Sequence, residues 1–367
     1  MTKELTGMNV DYFKIIASKY FDGDVTILKG KSGYNNITRF ITKEQSKYVM
    51  RVYCHNDNDK IDFEIAVLNR LLHSKIPFLV PKPIAARDGN QRVIAPDGKP
   101  VVMFSYIEGN TPAKKSLCEL EQLGKIIGQL SKGLAALDLS EKPAYTPYYQ
   151  LQEAYNECVG EYLNNFCNQP PQRFINQVNE LNIINKRINE VCRINPLLSS
   201  LPHQLIHGDV NSSNLLEDSN GNINAVLDFE FITWDLRAME CAVCISDLLC
   251  SMLNSADHDS DTTEQNSDYI LEQIKAIWRG FSKELQLTSE EKKVLPLLIE
   301  LRRLDVFLHF LLRMKNSINN GIMNAGDVLA EQIDKAAGII KWVDANNQQL
   351  EHIFYSSSSS SAGLFKK

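Results

Sequence analysis

Two carboxylates and one amide, Asp209, Asn214 and Asp228, stand in this chain at the spacing that phosphoryl transfer from a magnesium-bound nucleotide requires. They lie in His207-Gly208-Asp209-Val210-Asn211-Ser212-Ser213-Asn214 and, past an Asn220-Gly221 pair, in Leu227-Asp228-Phe229-Glu230. In such a transfer the protein does little covalent work, so catalysis reduces to orienting the nucleophile and holding metal ions against the phosphates. Asp209 is suited to accept or orient a substrate hydroxyl proton. Asn214 and Asp228 offer the hard oxygens that Mg²⁺ prefers, with phosphate and water oxygens completing an octahedron. An Asp and an Asn at this separation also occur in ordinary capped turns. The second Asp, embedded in an apolar strand where an unpaired charge is costly, makes the set a candidate site and demands a partner.

The elements around these residues must hold them in place. Leu205-Ile206 leads into the loop and Leu215-Leu216 closes it. Asn220-Gly221, between Leu215-Leu216 and Ala225-Val226-Leu227, predicts a hairpin with a type I′ turn, in which both central residues have positive φ. That hairpin is expected to return Asp228 beside Asp209 and Asn214. Upstream, Val25-Thr26-Ile27-Leu28, Ile37-Thr38-Arg39-Phe40-Ile41 and Tyr48-Val49-Met50-Arg51-Val52-Tyr53 have strand character. The first two are joined by Lys29-Gly30-Lys31-Ser32-Gly33-Tyr34-Asn35-Asn36, a small-residue turn of the kind that lets backbone amides approach phosphates. Without a full G-x-G-x-x-G, the same turn also reads as a plain hairpin. Ile61, Ile65, Leu68 and Leu72 mark one face of a helix carrying Glu64, and Val101 to Gly109 reads as a buried strand ending in a glycine. Beyond it, helical spacing recurs over 117–137, 151–166, 174–191, 239–253, 269–285, 289–316 and 325–345. Thr288-Ser289 opens a capping pattern before Glu291.

The combination His207-Gly208-Asp209 with Asn214, then Asp228-Phe229-Glu230, resembles the aminoglycoside phosphotransferase and choline kinase-like superfamily of small-molecule kinases, relatives of the protein kinases. In protein kinases an arginine stands between the His and the Asp, and an Ala-Pro-Glu closes the activation segment. Here Gly208 takes the first place and the second is missing, which favours the small-molecule branch. The resemblance covers roughly residues 25 to 315 and implies an α+β, protein kinase-like two-lobe fold. A small β-rich amino-terminal lobe over 1–105 would bind nucleotide, and a larger, mainly helical lobe over 106–355 would carry catalysis and the acceptor.

By that resemblance Asp209 is the catalytic base, Asn214 and Asp228 are metal ligands, and His207 braces the loop, while a satisfied core histidine remains the simpler account of His207. Ser32 and Gly33 belong to the phosphate cover, and Phe104, Ser105 and Tyr106 to the hinge that pairs with adenine. The family places a lysine on the third strand; this chain has Arg51, with Glu64 as its expected ion-pair partner. A rigid guanidinium fork replaces a compact ammonium there. A catalytically silent nucleotide-binding protein is therefore a competing reading, and a surface-decorating arginine is the plain one. Glu230 reads equally as a contact to a second metal or substrate amine, or as a structural salt-bridge residue. Trp234-Asp235-Leu236-Arg237, leading into an apolar helix, resembles homoserine kinase-like members, although Asp235 reads as well as a helix N-cap. The implied cofactors are ATP and Mg²⁺. The implied acceptor is an alcohol on a small metabolite, homoserine or a similar amino alcohol first and an aminoglycoside-type antibiotic second.

Composition agrees with this reading. A chain of 367 residues predicts about two domains, and 44% hydrophobic with 23% charged residues is ordinary globular usage. A net charge of −6 disfavours nucleic-acid and anionic-membrane partners. The first residues lack an apolar export core and no run of apolar residues is long enough to span a bilayer, so a cytoplasmic location is expected. The eight cysteines are scattered, and Cys241-x-x-Cys244, within an apolar helix, reads as core rather than as a metal or redox pair. The acidic stretch Ser255 to Asp261 reads as a solvated loop, and Ser356 to Lys367 as a tail unable to fold by itself.

Overall fold

A computed structural model describes residues 10–30, 36–112, 116–141, 143, 145–255, 263–319 and 325–356. Ser32 and Gly33, most of the acidic stretch and nearly all of the serine-rich tail lie outside the described residues. The chain divides into two compact units. The first comprises the described parts of Met1–Pro112, Ala136–Ala144 and Asn214–Phe231.

Its centre is an antiparallel sheet of β1 (Thr26–Lys29), β2 (Asn36–Lys43), β3 (Ser46–Tyr53), β4 (Pro83–Ile84), β5 (Arg92–Ile94) and β6 (Pro100–Ser105). The order is β1-β2-β3-β6-β4, with β5 also on β6. Ile37, Ile41, Met50, Val52, Val101 and Met103 pack against Phe13 and Ile16 of the Val10–Ala17 helix on one face. The period of two that buries Met50 and Val52 turns Arg51 and Tyr53 to the opposite face. There Glu64 meets them from the Asn58–Leu71 helix, which Asp57 caps by accepting the Lys60 amide at 3.3 Å. That helix buries Ile61, Ile65, Leu68 and Leu71, whereas Leu72, expected on the same face, falls at the C-cap and is 39% exposed.

The expected hairpin is present, pairing Leu215–Glu217 with Ile223–Val226. Its turn differs from the type I′ expectation. The Asp218 carboxylate accepts the amides of Asn220 and Asn222, which widens the loop, and Gly221 alone of the pair takes positive φ.

The second unit comprises the described parts of Ala113–Ala135, Tyr145–Ser213 and Ile232–Lys367, and is mainly helical. Helices Leu117–Ala135 and Thr263–Glu284 cross at two glycines. A Cβ on Gly124 would lie 1.9 Å from the Ile277 carbonyl oxygen, and one on Gly280 1.9 Å from that of Glu121. The single helix expected over 151–166 is two, Leu151–Ala154 and Glu161–Asn168, parted where Gly160 takes φ 103°. Helix Val178–Ser199 is preceded by a tight turn at Gln172–Gln177 that contains Phe174, and it runs on through Pro196. Helix Ser289–Asn319 begins with a reciprocal cap: the Thr288 amide donates to Glu291 at 2.8 Å and the Glu291 amide to the Thr288 hydroxyl at 3.2 Å. Strands His203–Ile206 and Thr233–Leu236 pair antiparallel, and the buried helix Met239–Ser255 follows, with Cys241 and Cys244 in the core. Among the described residues no helix is long and apolar enough to cross a membrane.

Candidate active site

In the first unit, one nitrogen gathers two carboxylates. Arg51 Nη1 lies 3.1 Å from Glu64 Oε1 and 3.1 Å from Asp228 Oδ1, and the Tyr53 hydroxyl donates to Glu64 Oε2 at 2.8 Å. The ion pair expected between Arg51 and Glu64 is thus present, and Arg51 is no surface decoration, with 14% of its side chain exposed. Its guanidinium also lies 5.4 Å from the Phe104 ring centre. Burial alone would lower its pKa, but Asp228 and Glu64 outweigh that and hold it well above the ordinary value. Burial pushes Glu64 up, with Arg51 pulling the other way.

Asp228 follows the second hairpin strand rather than lying within it, and its φ of 62° is one of two positive values among described non-glycine residues. Such a conformation costs about 1–2 kcal/mol, least for Asp and Asn. Strain of this kind persists where the surroundings impose it, commonly at functional sites. The Leu227 amide donates to the Asn214 carbonyl at 2.8 Å, which ties the residue before Asp228 to Asn214. Glu230 is 5% exposed; it accepts the Asn36 side-chain amide at 2.6 Å and lies 3.8 Å from His55 Nε2. Burial, then the charge of Asp228, push its carboxyl up to about 7.

These oxygens suit a hard divalent cation. Asp228 Oδ1 is buried without a hydrogen-bond partner among the described residues, despite its ionic contact with Arg51, and Asn214 is 8% exposed. A carboxylate and an amide of this kind match Mg²⁺ rather than a softer metal. At the expected hinge, Phe104 is buried in β6, while the amides of Ser105 and Tyr106 donate to the carbonyls of Lys82 and Lys47 at 2.9 and 3.1 Å.

In the second unit, the Asp209 loop is braced from several sides. The Asp209 amide donates to His207 Nδ1 at 3.2 Å, and the amide of the buried His207 donates to Glu240 Oε2 at 2.6 Å. Gly208, at φ 77°, turns its carbonyl to the Tyr148 hydroxyl at 2.7 Å. The Tyr148 amide in turn donates to Asp235 Oδ2 at 2.5 Å. Asp235 is therefore no helix N-cap: it sits in the Thr233–Leu236 strand, fully buried, and anchors the Tyr148 segment. Burial pushes both Asp235 and Glu240 up to about 7, against the opposing pull of the amides they accept. Arg237 clamps Glu291 of the helix cap through two contacts of 2.7 Å, so both polar ends of Asp235-Leu236-Arg237 position other segments.

Arg302 touches the Asp209 side chain, with Nη2 2.6 Å from Oδ1 and Nη1 3.0 Å from the Tyr148 hydroxyl. Sequence reasoning passed over Arg302, Tyr148, Asp305 and Glu240. Glu240 carried a readable signal, an acidic residue in the otherwise apolar Met239 to Cys244 run. Arg302 carried none, because a charged residue every third or fourth position is normal on a helix.

The sheet-based first unit and helical second unit define a kinase-like α+β phosphotransferase fold. The family described as Phosphotransferase enzyme family, APH, matches residues 26–261, and the chain belongs to it. A homoserine kinase of Rhodopseudomonas palustris (strain TIE-1) is 24% identical over 303 residues, covering 80% of this chain and 81% of the relative. Among solved structures, a microcompartment-associated aminopropanol kinase superposes with a TM-score of 0.64 at 16% identity, covering 94% of this chain and 99% of that one. The amicoumacin kinase hAmiN, in complex with AMP-PNP, Ca²⁺ and Ami, gives 0.63 at 15% identity, covering 92% and 96%. The protein is an enzyme of kinase-type phosphotransfer to small molecules.

Proposed function

We propose that the protein phosphorylates the hydroxyl of a small amino alcohol from ATP in the presence of Mg²⁺, with homoserine as the first candidate. The observation that carries this reading is the Arg51 contact to both Glu64 and Asp228, which sets a cation beside an expected metal ligand. The intact Asp209, Asn214 and Asp228 argue against a silent nucleotide-binding protein. The homoserine kinase relative and the AMP-PNP and Ca²⁺ complex of a structural neighbour support the acceptor and the nucleotide.

In this reading Asp209 orients the acceptor hydroxyl and takes its proton as the oxygen bonds to the γ-phosphorus and the bond from that phosphorus to ADP breaks. Asn214 and Asp228 would hold Mg²⁺. Bound there, the ion supplies charge neutralisation on the phosphate oxygens. Arg51 steadies the phosphates from β3, Glu64 and Tyr53 hold Arg51, the backbone around Phe104, Ser105 and Tyr106 faces adenine, and Ser32 and Gly33 cover the phosphates. Glu230 acts structurally, bonded to Asn36.

The test is an ATP-consumption screen against amino alcohols, choline-like compounds, sugars and aminoglycosides, with Asp209→Asn as control. Wild type is expected to turn over an amino alcohol, and Asp209→Asn to lose about 10²–10⁴ in kcat with nucleotide binding retained. Equal transfer by the two proteins would refute the assignment of the base.

A further inference from the structure

Arg302 stands on the Ser289–Asn319 helix with 13% of its side chain exposed. Besides Asp209 and Tyr148 it meets Asp305, one turn further on, at 3.5 Å. Asp305 accepts the Tyr155 hydroxyl at 2.6 Å, and 19% of its side chain is exposed. A guanidinium nitrogen 2.6 Å from the base's Oδ1 occupies a lone pair that an incoming hydroxyl has to reach. The loop has braces that do not involve Arg302, in the Asp209 amide on His207 and the His207 amide on Glu240. A guanidinium that occupies the base, in a loop with other braces, makes sense where it has a second partner to go to.

We propose that Arg302 recognises the carboxylate of a hydroxy amino acid, and that this exchange of partners frees Asp209 to act on the hydroxyl. The proposal rests on Asp209 being the base of a small-molecule kinase. A planar fork matches a carboxylate in a way no ammonium does. Asp305 beside it supplies the complementary charge for the substrate's ammonium, so the Arg302–Asp305 pair mirrors the adjacent carboxylate and ammonium of an α-amino acid. A plain amino alcohol offers only half of that pattern and leaves Arg302 on Asp209. The specificity of the site is therefore for hydroxy amino acids over amino alcohols, and carboxylate binding and base activation are one event.

The experiment compares homoserine with aminopropanol, its counterpart lacking the carboxylate, on the full chain and on Arg302→Gln and Arg302→Lys. Turnover with ATP and Mg²⁺ and the thermal shift induced by each compound are both recorded. Wild type is expected to favour homoserine by about 100-fold in kcat/KM, as for two hydrogen bonds to a charged group. In Arg302→Gln that preference should collapse to within about threefold, through a raised homoserine KM and a raised aminopropanol kcat, since no guanidinium then faces Asp209 with either compound, and Arg302→Lys should recover part of it. A wild type without preference, or a preference that survives in Arg302→Gln, overturns the proposal; so does a fall in kcat shared equally by both compounds. Selective homoserine binding without phosphoryl transfer would defeat the kinase reading and leave carboxylate recognition standing. Should Arg302→Gln fail to fold, Arg302→Lys decides by the same ratio: a loss of about tenfold supports the proposal and an unchanged ratio overturns it.

Discussion

Replacing Arg51 by methionine removes the guanidinium that Glu64 and Asp228 share, while keeping much of the volume of its aliphatic stem. Glu64 is 2% exposed and would lose its 3.1 Å partner, whereas Asp228, 31% exposed, can turn to water. Breaking a buried pair from one side costs about 3–5 kcal/mol, and the surviving Tyr53 bond at 2.8 Å places this case at about 3. The cost must depend on pH. Burial already raises the folded Glu64 pKa above its unfolded value, and removing the cation raises it further. An acid shifted in that direction is least costly below its unfolded pKa and loses stability as pH climbs through the folded one. The difference between variant and wild type should therefore be about 3 kcal/mol at pH 8 and smaller at pH 5. Arg51→Lys should cost only about 1 kcal/mol, because Arg51 uses a single nitrogen for both contacts and an ammonium can replace it. Hydrogen exchange at the β3 amides of Met50 and Val52 reads the stability of this unit directly. A loss below about 1 kcal/mol at pH 8, a pH-independent loss, or a lysine variant as damaged as the methionine one would refute the reasoning.

Two further outcomes follow from the second unit. Gly124→Ala and Gly280→Ala each place a methyl 1.9 Å from a backbone oxygen of the opposite helix, and each should cost about 3 kcal/mol or more in chemical denaturation. Gly338→Ala, with nothing within 4 Å of the added carbon, should instead gain up to about 1 kcal/mol. Glu240, pushed up to about 7 by burial, favours the folded state most when protonated, so its contribution is largest below about 4.5 and is lost as pH rises to about 7. Glu240→Gln still offers an oxygen to the His207 amide but does not titrate. Its stability should fall less steeply than wild type between pH 5 and 7, by about 1 kcal/mol per pH unit; parallel curves would refute the shift.

The proposed triplet was read from residue type and spacing. The Asp209, Asn214 and Asp228 spacing, the Asn220-Gly221 hairpin, the Thr288 to Glu291 cap and the alternation that buries Met50 and Val52 all depend on neighbours a few residues away. Helical and strand periodicities record which face is apolar, and a cap or a turn is written in the residues that form it. Errors arose where one local signal met a competing one: the Asp218 side chain widened the hairpin turn, Gly160 split a helix, and Asp235 joined a strand.

Tertiary structure alone decided the partners of the charged groups. That Arg51 takes both Glu64 and Asp228, that Glu240 receives the His207 amide, and that Arg302 comes to rest against Asp209, 93 residues away, depends on how distant elements pack. Periodicity says that a side chain is buried or exposed but is indifferent to which opposite charge it will meet. Hydrogen bonds act only at contact and charges in water are screened over about 10 Å, so the choice of partner, and with it the shift of each carboxyl, is made only when the chain has folded.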